Sequence, residues 1–238
     1  MEIVAARTLN TLYIYLDIIW LLAYAAILLY NKRYLAIIVG LFGGLIYFAV
    51  DYGIFYLALN TRAIIGADPF WFLLWLSMSY GFTNIAWIWL LLDKDGKAVE
   101  WSTLTIAGWV AVAFLSQNFG STFPIISIQR GTTSYHGIMA LVLLAGYTYL
   151  ILNNLKGKPS EKANILQLLA IGIGVQFSWE FILLISNIRP IGVLPLVVNS
   201  LIETNLGMPY LYLIHRAIVK RVNEDMTTVS HGPQNLRI

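Results

Sequence analysis

Residues 165–185 read ILQLLAIGIGVQFSWEFILLI, a run of 21 residues with a single charged side chain, Glu180. A helix rises about 1.5 Å per residue, so such a run can cross the apolar core of a bilayer, which takes roughly 20 apolar residues. The run is preceded by a polar turn, Lys156-Gly157-Lys158-Pro159-Ser160-Glu161-Lys162. The same alternation of apolar run and polar turn extends over the whole chain. It predicts spans at residues 11–30, 34–59, 70–92, 101–115, 134–155, 165–185 and 191–214. The fourth is the shortest. Asn31-Lys32-Arg33 and Asp93-Lys94-Asp95-Gly96-Lys97 mark two further turns.

Composition agrees. The 238 residues are 59% hydrophobic and 11% charged, where a soluble domain carries about 25% charged residues. The fold expected is an all-α, seven-helix polytopic bundle. It forms one transmembrane domain over residues 1–238, with 218–238 as a cytosolic tail. A net charge of +3 in so apolar a chain reads as membrane topology rather than as a nucleic-acid surface. The absence of cysteine excludes disulfides, thiol catalysis and zinc–thiolate sites. The first span follows ten mostly neutral residues. It lacks the basic start of a signal peptide and is expected to be retained.

The basic residues give the direction. Lys32, Arg33, Lys94, Lys97, Lys156, Lys158, Lys162, Arg216, Lys220, Arg221 and Arg237 fall on one alternating set of connections, and Arg7, Arg62, Arg130 and Arg189 on the other. Eleven against four places the N terminus outside and the C terminus in the cytosol.

The two halves also echo each other. Leu21-Leu22-Ala23-Tyr24 corresponds to Leu143-Leu144-Ala145-Gly146-Tyr147, Asp51 to Glu180, and Thr83-Asn84 to Thr204-Asn205, in the same order. This predicts a parallel three-plus-one-plus-three repeat with the fourth span as linker.

Four carboxylates lie inside predicted spans: Asp17, Asp51, Glu180 and Glu203. Each costs about 2.5–3.5 kcal/mol on an insertion scale if it faces lipid. No lysine or arginine lies in a span core. The acids are therefore expected to face the bundle interior. There they would hydrogen-bond one another, Asn84, Asn199, Asn205, Gln176 or tyrosines, and some would hold their proton. A buried, protonated acid can act as a general acid. Asp17, nearest an interface, is expected to glue helices. Asp51→Asn and Glu203→Gln are expected to leave stability nearly unchanged.

Aromatic rings are abundant. Trp71, Trp101 and Tyr34 are expected in interfacial belts. Trp20, Tyr24, Tyr52, Tyr80 and Trp179 lie at the depth of the acids, where ring faces would stabilise a cation or a hydrophobic ligand. Gly40, Gly43, Gly44, Gly172 and Gly174 are expected at close helix contacts. No lysine stands in the last span for a retinal Schiff base, and His136, His215 and His231 are scattered. No phosphate loop, paired-histidine metal motif or serine–histidine–acid order is visible. No cofactor, metal or nucleic-acid partner is expected.

Trp20 and Tyr24, then Asp51 with Tyr52, Phe55 and Tyr56, then Glu203 with Gly207, Tyr210 and Tyr212 form a series. It resembles the pyripyropene-type integral membrane meroterpenoid (terpene) cyclases. In that family a W-x-x-x-Y and a later W-E-x-x-Y precede a last-span D-x-x-x-G with trailing aromatics. Here Asp51 stands for the family's Glu, Val50 for its tryptophan and Glu203 for its Asp, and the Trp179-Glu180 pair has no counterpart.

The resemblance implies seven spans and a hydrophobic, prenylated substrate taken from the bilayer. Asp51 would be the proton donor, and Glu203 and Glu180 would tune it or take the final proton. The rings Trp20, Tyr24, Tyr52, Tyr80 and Trp179 would line the substrate, with Asn84 and Asn205. The alternative from the residues alone is a small-solute transporter of three-plus-one-plus-three design, its acids forming a proton relay.

Overall fold

The computed structural model describes residues 4–131, 135–157, 162–190 and 192–230. Ser134 and Ile191, the expected starts of two spans, lie outside the described residues, as do Lys158, His231 and Arg237.

Seven helices follow the seven apolar runs. They are α1 (Thr11–Tyr30), α2 (Tyr34–Phe48), α3 (Pro69–Leu92), α4 (Ala98–Phe119), α5 (His136–Lys156), α6 (Ile165–Ile185) and α7 (Val193–Ser230). Local chemistry sets several starts. The side chains of Asn10, Asp68 and Asn164 accept from the backbone N–H groups of Tyr13, Trp71 and Gln167, which satisfies orphan donors of the first turn. Pro69 occupies the first turn of α3, where its missing N–H costs nothing. α2 continues directly into a π-helix over Ala49–Ala58 that carries Asp51.

Helix α4 is longer than its expected span, at 22 residues. Its hydroxyls fold back on their own helix. Ser102 donates to the Ala98 carbonyl at 2.7 Å, Thr105 to Trp101 at 2.8 Å and Ser116 to Ala113 at 2.8 Å, so each polar group is satisfied locally.

Five of the helices are long and apolar enough to cross a membrane by length and composition: α1, α2 with its π-helical continuation, α4, α5 and α6. They expose large apolar side chains such as Leu22, Phe42, Leu141 and Leu166, a surface that suits lipid rather than water. Helix α3 differs because it touches α1, α2, α4, α6 and α7. Enclosed by other helices, it carries buried Ser77, Ser79, Thr83 and Asn84.

The all-α expectation needs one correction. Three strands, β1 (Val4–Asn10), β2 (Arg62–Ile65) and β3 (Ile125–Arg130), form an antiparallel sheet in the order β1-β3-β2. In β3 the buried Ile126 and Ile128 alternate with more exposed neighbours, the period-two pattern of a half-buried strand. The Thr8 backbone N–H donates to the Ile188 carbonyl at 2.8 Å, joining the α6–α7 connection to this layer.

The N-terminal strand and the connections after α2, α4 and α6 therefore meet at one end of the bundle. At the other end Arg33 pairs with Asp95 at 2.5 Å, Lys97 donates to Asn31 at 3.2 Å, and His215 meets Asp93 at 2.5 Å. The helices thus run alternately between a sheet end and an opposite end.

Helix α7 runs through Ser230, so residues 218–230 are helical. Two smaller expectations change. Trp101 is buried with Tyr24, Leu28 and Trp89 instead of lying in a belt, whereas Trp71 and Tyr34 are exposed. No atom lies within 4 Å of a Cβ built on Gly174, so that glycine makes no close contact.

Candidate functional site

Close helix packing sets the site. On α2 and α3, a Cβ on Gly81 would come within 2.7 Å of the Gly44 Cα, and one on Gly40 within 3.0 Å of the Phe82 carbonyl oxygen. On α6 and α7, a Cβ on Gly172 would come within 2.3 Å of Asn205 Oδ1. Small residues let backbones approach, which holds Asp51 beside Tyr80 and aligns Gln176 and Glu180 with Glu203 and Thr204.

Asp51 is buried and accepts from three side chains. Arg62 Nη2 reaches Oδ1 at 2.7 Å, Arg130 Nη2 reaches Oδ2 at 3.1 Å, and the Tyr80 hydroxyl donates to Oδ2 at 3.3 Å. The Arg62 guanidinium also lies 4.4 Å from the Phe55 ring centroid.

Glu180 is held in a parallel way. Arg189 donates to Oε2 in a short ion pair, and Arg7 Nη2 lies 3.6 Å from Oε1. The Asn199 amide oxygen, in the orientation that satisfies its neighbours, accepts from Arg189 at 2.8 and 3.0 Å.

Gln176 links the two glutamates, donating to Glu180 at 3.3 Å and to Glu203 Oε2 at 3.0 Å while accepting from Thr204 at 2.5 Å. Arg7 sits 5.9 Å from the Trp179 ring, which packs edge-on against Trp109 at 5.0 Å.

These groups form one electrostatic unit. Arg7 feels Arg130, Glu203 and Asp51, and Arg189 feels Arg7, Glu203 and Arg130. Burial is the main cause that lowers the pKa of Arg7 to about 10, with Arg130 adding to it. Burial followed by Arg7 does the same to Arg189, also to about 10. Both still carry their charge at neutral pH. Burial lowers Arg62 as well, aided by Arg130 and opposed by Asp51. At Arg130 burial again opposes the charge, but Asp51 leads the groups that outweigh it, and the pKa rises.

Asp51 and Glu180 therefore do have cationic partners, against expectation. The arginines come from β1, β2, β3 and the α6–α7 connection, not from span interiors. They are the same four basic residues that stand on the minority side of the charge count. Arg7 is a lone arginine ahead of α1 and the other three are each a lone arginine in a connection, and the sequence carries no local signal that they fold inward. Both Asp51 oxygens accept from guanidinium N–H groups, so this carboxyl is ill placed to act as a free proton donor.

Among the acids of the cluster, Glu203 differs in that its hydrogen bond comes from the Gln176 amide. Asp17 stands apart from the arginines: Trp75 Nε1 donates to its Oδ2 at 2.9 Å, and Oδ1 has no hydrogen-bond partner.

The other expected residues divide. Tyr80 and Trp179 join the acids. Trp20 and Tyr24 pack on each other at 5.4 Å, and the Tyr24 hydroxyl lies 3.4 Å from Thr105 Oγ1. Tyr52 lies in a stack, 5.3 Å from Phe48 and 5.4 Å from Tyr56. The side chain of Asn205 accepts from the Tyr147 hydroxyl at 3.3 Å. Asn84 is fully buried with neither amide atom partnered. Comparison with family models, curated proteins and solved structures finds no match for this chain.

Proposed function

We propose that the protein is a seven-span membrane enzyme of the terpenoid-cyclase kind, with the sheet end outside, acting on a lipid-like prenylated substrate. The observation that carries this reading is the convergence of Asp51, Glu180 and Glu203, from three different helices, on shared arginines inside an apolar bundle.

In this reading Glu203 carries the transferable proton, because its near neighbour is the Gln176 amide. Asp51 and Glu180 instead anchor the arginines. Glu203 protonates an epoxide oxygen or terminal alkene, ring closure follows through a carbocation, and a carboxylate takes back one proton. The net reaction is an isomerisation. The Trp179 and Trp109 faces stabilise the cation without offering a nucleophile. Mass-spectrometric product analysis of membranes fed prenylated epoxides and alkenes tests this. A cyclised isomer from the wild type, reduced on the order of 100-fold or more in Glu203→Gln, is the expected result. No conversion of any substrate overturns it.

A second reading, a three-plus-one-plus-three transporter, has its own support. Asp51 pairs with Arg62, 11 positions on, and Glu180 with Arg189, 9 positions on, so each half repeats an acid–arginine clasp after its second helix. Ion pairs also close both ends of the bundle. Uptake of a small solute into proteoliposomes, dependent on a pH gradient and without chemical conversion, would favour it over the enzyme.

A further inference from the structure

The carboxylates do not balance the arginines. Arg7, Arg62, Arg130 and Arg189 bring four positive charges and Asp51 and Glu180 two negative ones; Glu203 adds a third only once it has given up its proton, so at least one positive charge (4 − 3) is left among the described residues of the cluster. Donors are also left over. Arg7 Nε and Nη1, Arg62 Nη1 and Arg130 Nε are buried without a hydrogen-bond partner, and the Arg7 and Arg62 side chains are only 4% and 2% exposed. A buried polar group normally finds a partner, and an unsatisfied one is costly. Four donor atoms from three arginines suit a group with several acceptor oxygens and one negative charge.

We propose that the arginine cluster under the sheet binds a phosphate-type oxyanion, with Arg7 as its central ligand. This rests on the enzyme reading and adds to it the headgroup class of an amphiphilic substrate or lipid. Guanidinium groups recognise phosphoryl oxygens in bidentate geometry. The more accessible members mark the approach. The Arg130 and Arg189 side chains are 12% and 15% exposed, and Glu203 is half-buried, so the anion enters between β3 and the α6–α7 connection. Its apolar portion then extends along the bundle towards lipid.

The test uses the full chain purified in neutral detergent, with thermal unfolding followed by tryptophan fluorescence. Inorganic phosphate and dihexanoyl phosphatidic acid are titrated separately, against sodium chloride at matched ionic strength. A saturable rise in Tm with either probe, absent with chloride, is expected. A rise with phosphatidic acid alone identifies a lipid headgroup as the source, and a rise with inorganic phosphate identifies the free ion.

Arg7→Gln leaves Glu180 its ion pair with Arg189 and is the decisive variant; Arg7→Lys, which keeps the charge but loses the guanidinium fork, takes its place if the first fails to fold. Either should bind both probes at least tenfold more weakly. No saturable response to either probe in the wild type, or an undiminished response in a folded variant, overturns the proposal. The readout needs no turnover. Binding without cyclisation would leave the site standing and remove the enzyme reading, and cyclisation of a neutral substrate without binding would do the reverse.

Discussion

The two ends of the bundle hold similar ion pairs in different surroundings. At the sheet end Arg62, Arg130, Arg189 and Arg7 reach buried carboxylates beneath a three-stranded cap. At the opposite end one partner of each pair is open to water: the Arg33 side chain is 37% exposed against Asp95 at 5%, and Asp93 is 38% exposed against His215 at 11%. Water screens the second set, where a pair contributes about 0–1 kcal/mol. The first set is desolvated. Removing one partner there leaves a buried charge and costs about 3–5 kcal/mol. Like pairs are thus worth several kcal/mol at one end and little at the other.

The largest expected effect comes from Asp51→Asn. It strands Arg62 and Arg130 and should lower stability by about 3–5 kcal/mol, read as a large fall in Tm in detergent. Adding Arg62→Gln should recover part of the loss. A Tm near wild type for Asp51→Asn would erase the difference between the ends. The sequence alone argued for a nearly silent change here, because no cation was visible within the spans.

Glu203→Gln probes the same end at a residue whose partner is an amide. Stability should change by about 1 kcal/mol or less, since an amide can replace a carboxyl against Gln176. The effect should fall on turnover instead. A loss of stability as large as that of Asp51→Asn would mean that Glu203 is also a structural anchor.

At the opposite end, Asp95→Asn should cost less than about 1 kcal/mol. Burial works against the Asp95 charge, but the Lys97 backbone N–H and Arg33 outweigh it and hold this carboxyl below the usual carboxylate range. Its folded pKa is depressed. Its contribution is therefore present above the unfolded value of about 3.9 and is lost as the pH falls through the folded value. Unfolding of wild type and variant should differ at neutral pH and converge in strong acid.

The last test carries no energetic effect. The chain has no cysteine, so Thr122→Cys near the sheet and Glu100→Cys at the other end are clean labels at exposed positions. An impermeant maleimide on intact cells should modify the first and not the second. The opposite pattern would reverse the assignment of the ends.

Much of the helical frame was legible in the sequence. Hydropathy alone located all seven helices, and the capping residues Asn10, Asp68 and Asn164 stand where α1, α3 and α6 begin. Local sequence specifies these features because a helix closes its hydrogen bonds within itself. The acids at the centre were legible too, since an ionisable residue in an apolar run is conspicuous. The sheet was not. Its strands span 4 to 7 residues and sit in connections, and β1 pairs with a strand more than 100 positions away. Trp20 and Tyr24 pack on each other rather than joining the arginine cluster, because equal depth along the bundle does not fix which side of a helix a ring occupies.

By itself, then, the sequence determined where apolar helices form, which connections share an end and which carboxylates are held within the bundle. Only the tertiary structure decided how those carboxylates are neutralised. Arg7, Arg62, Arg130 and Arg189 look in sequence like four ordinary loop charges. Strand pairing and the Thr8–Ile188 backbone bond bring them over the bundle, and desolvation there makes contact with Asp51 and Glu180 far stronger than it would be in water. Charge count follows from composition, but charge pairing depends on distances that only the folded chain sets.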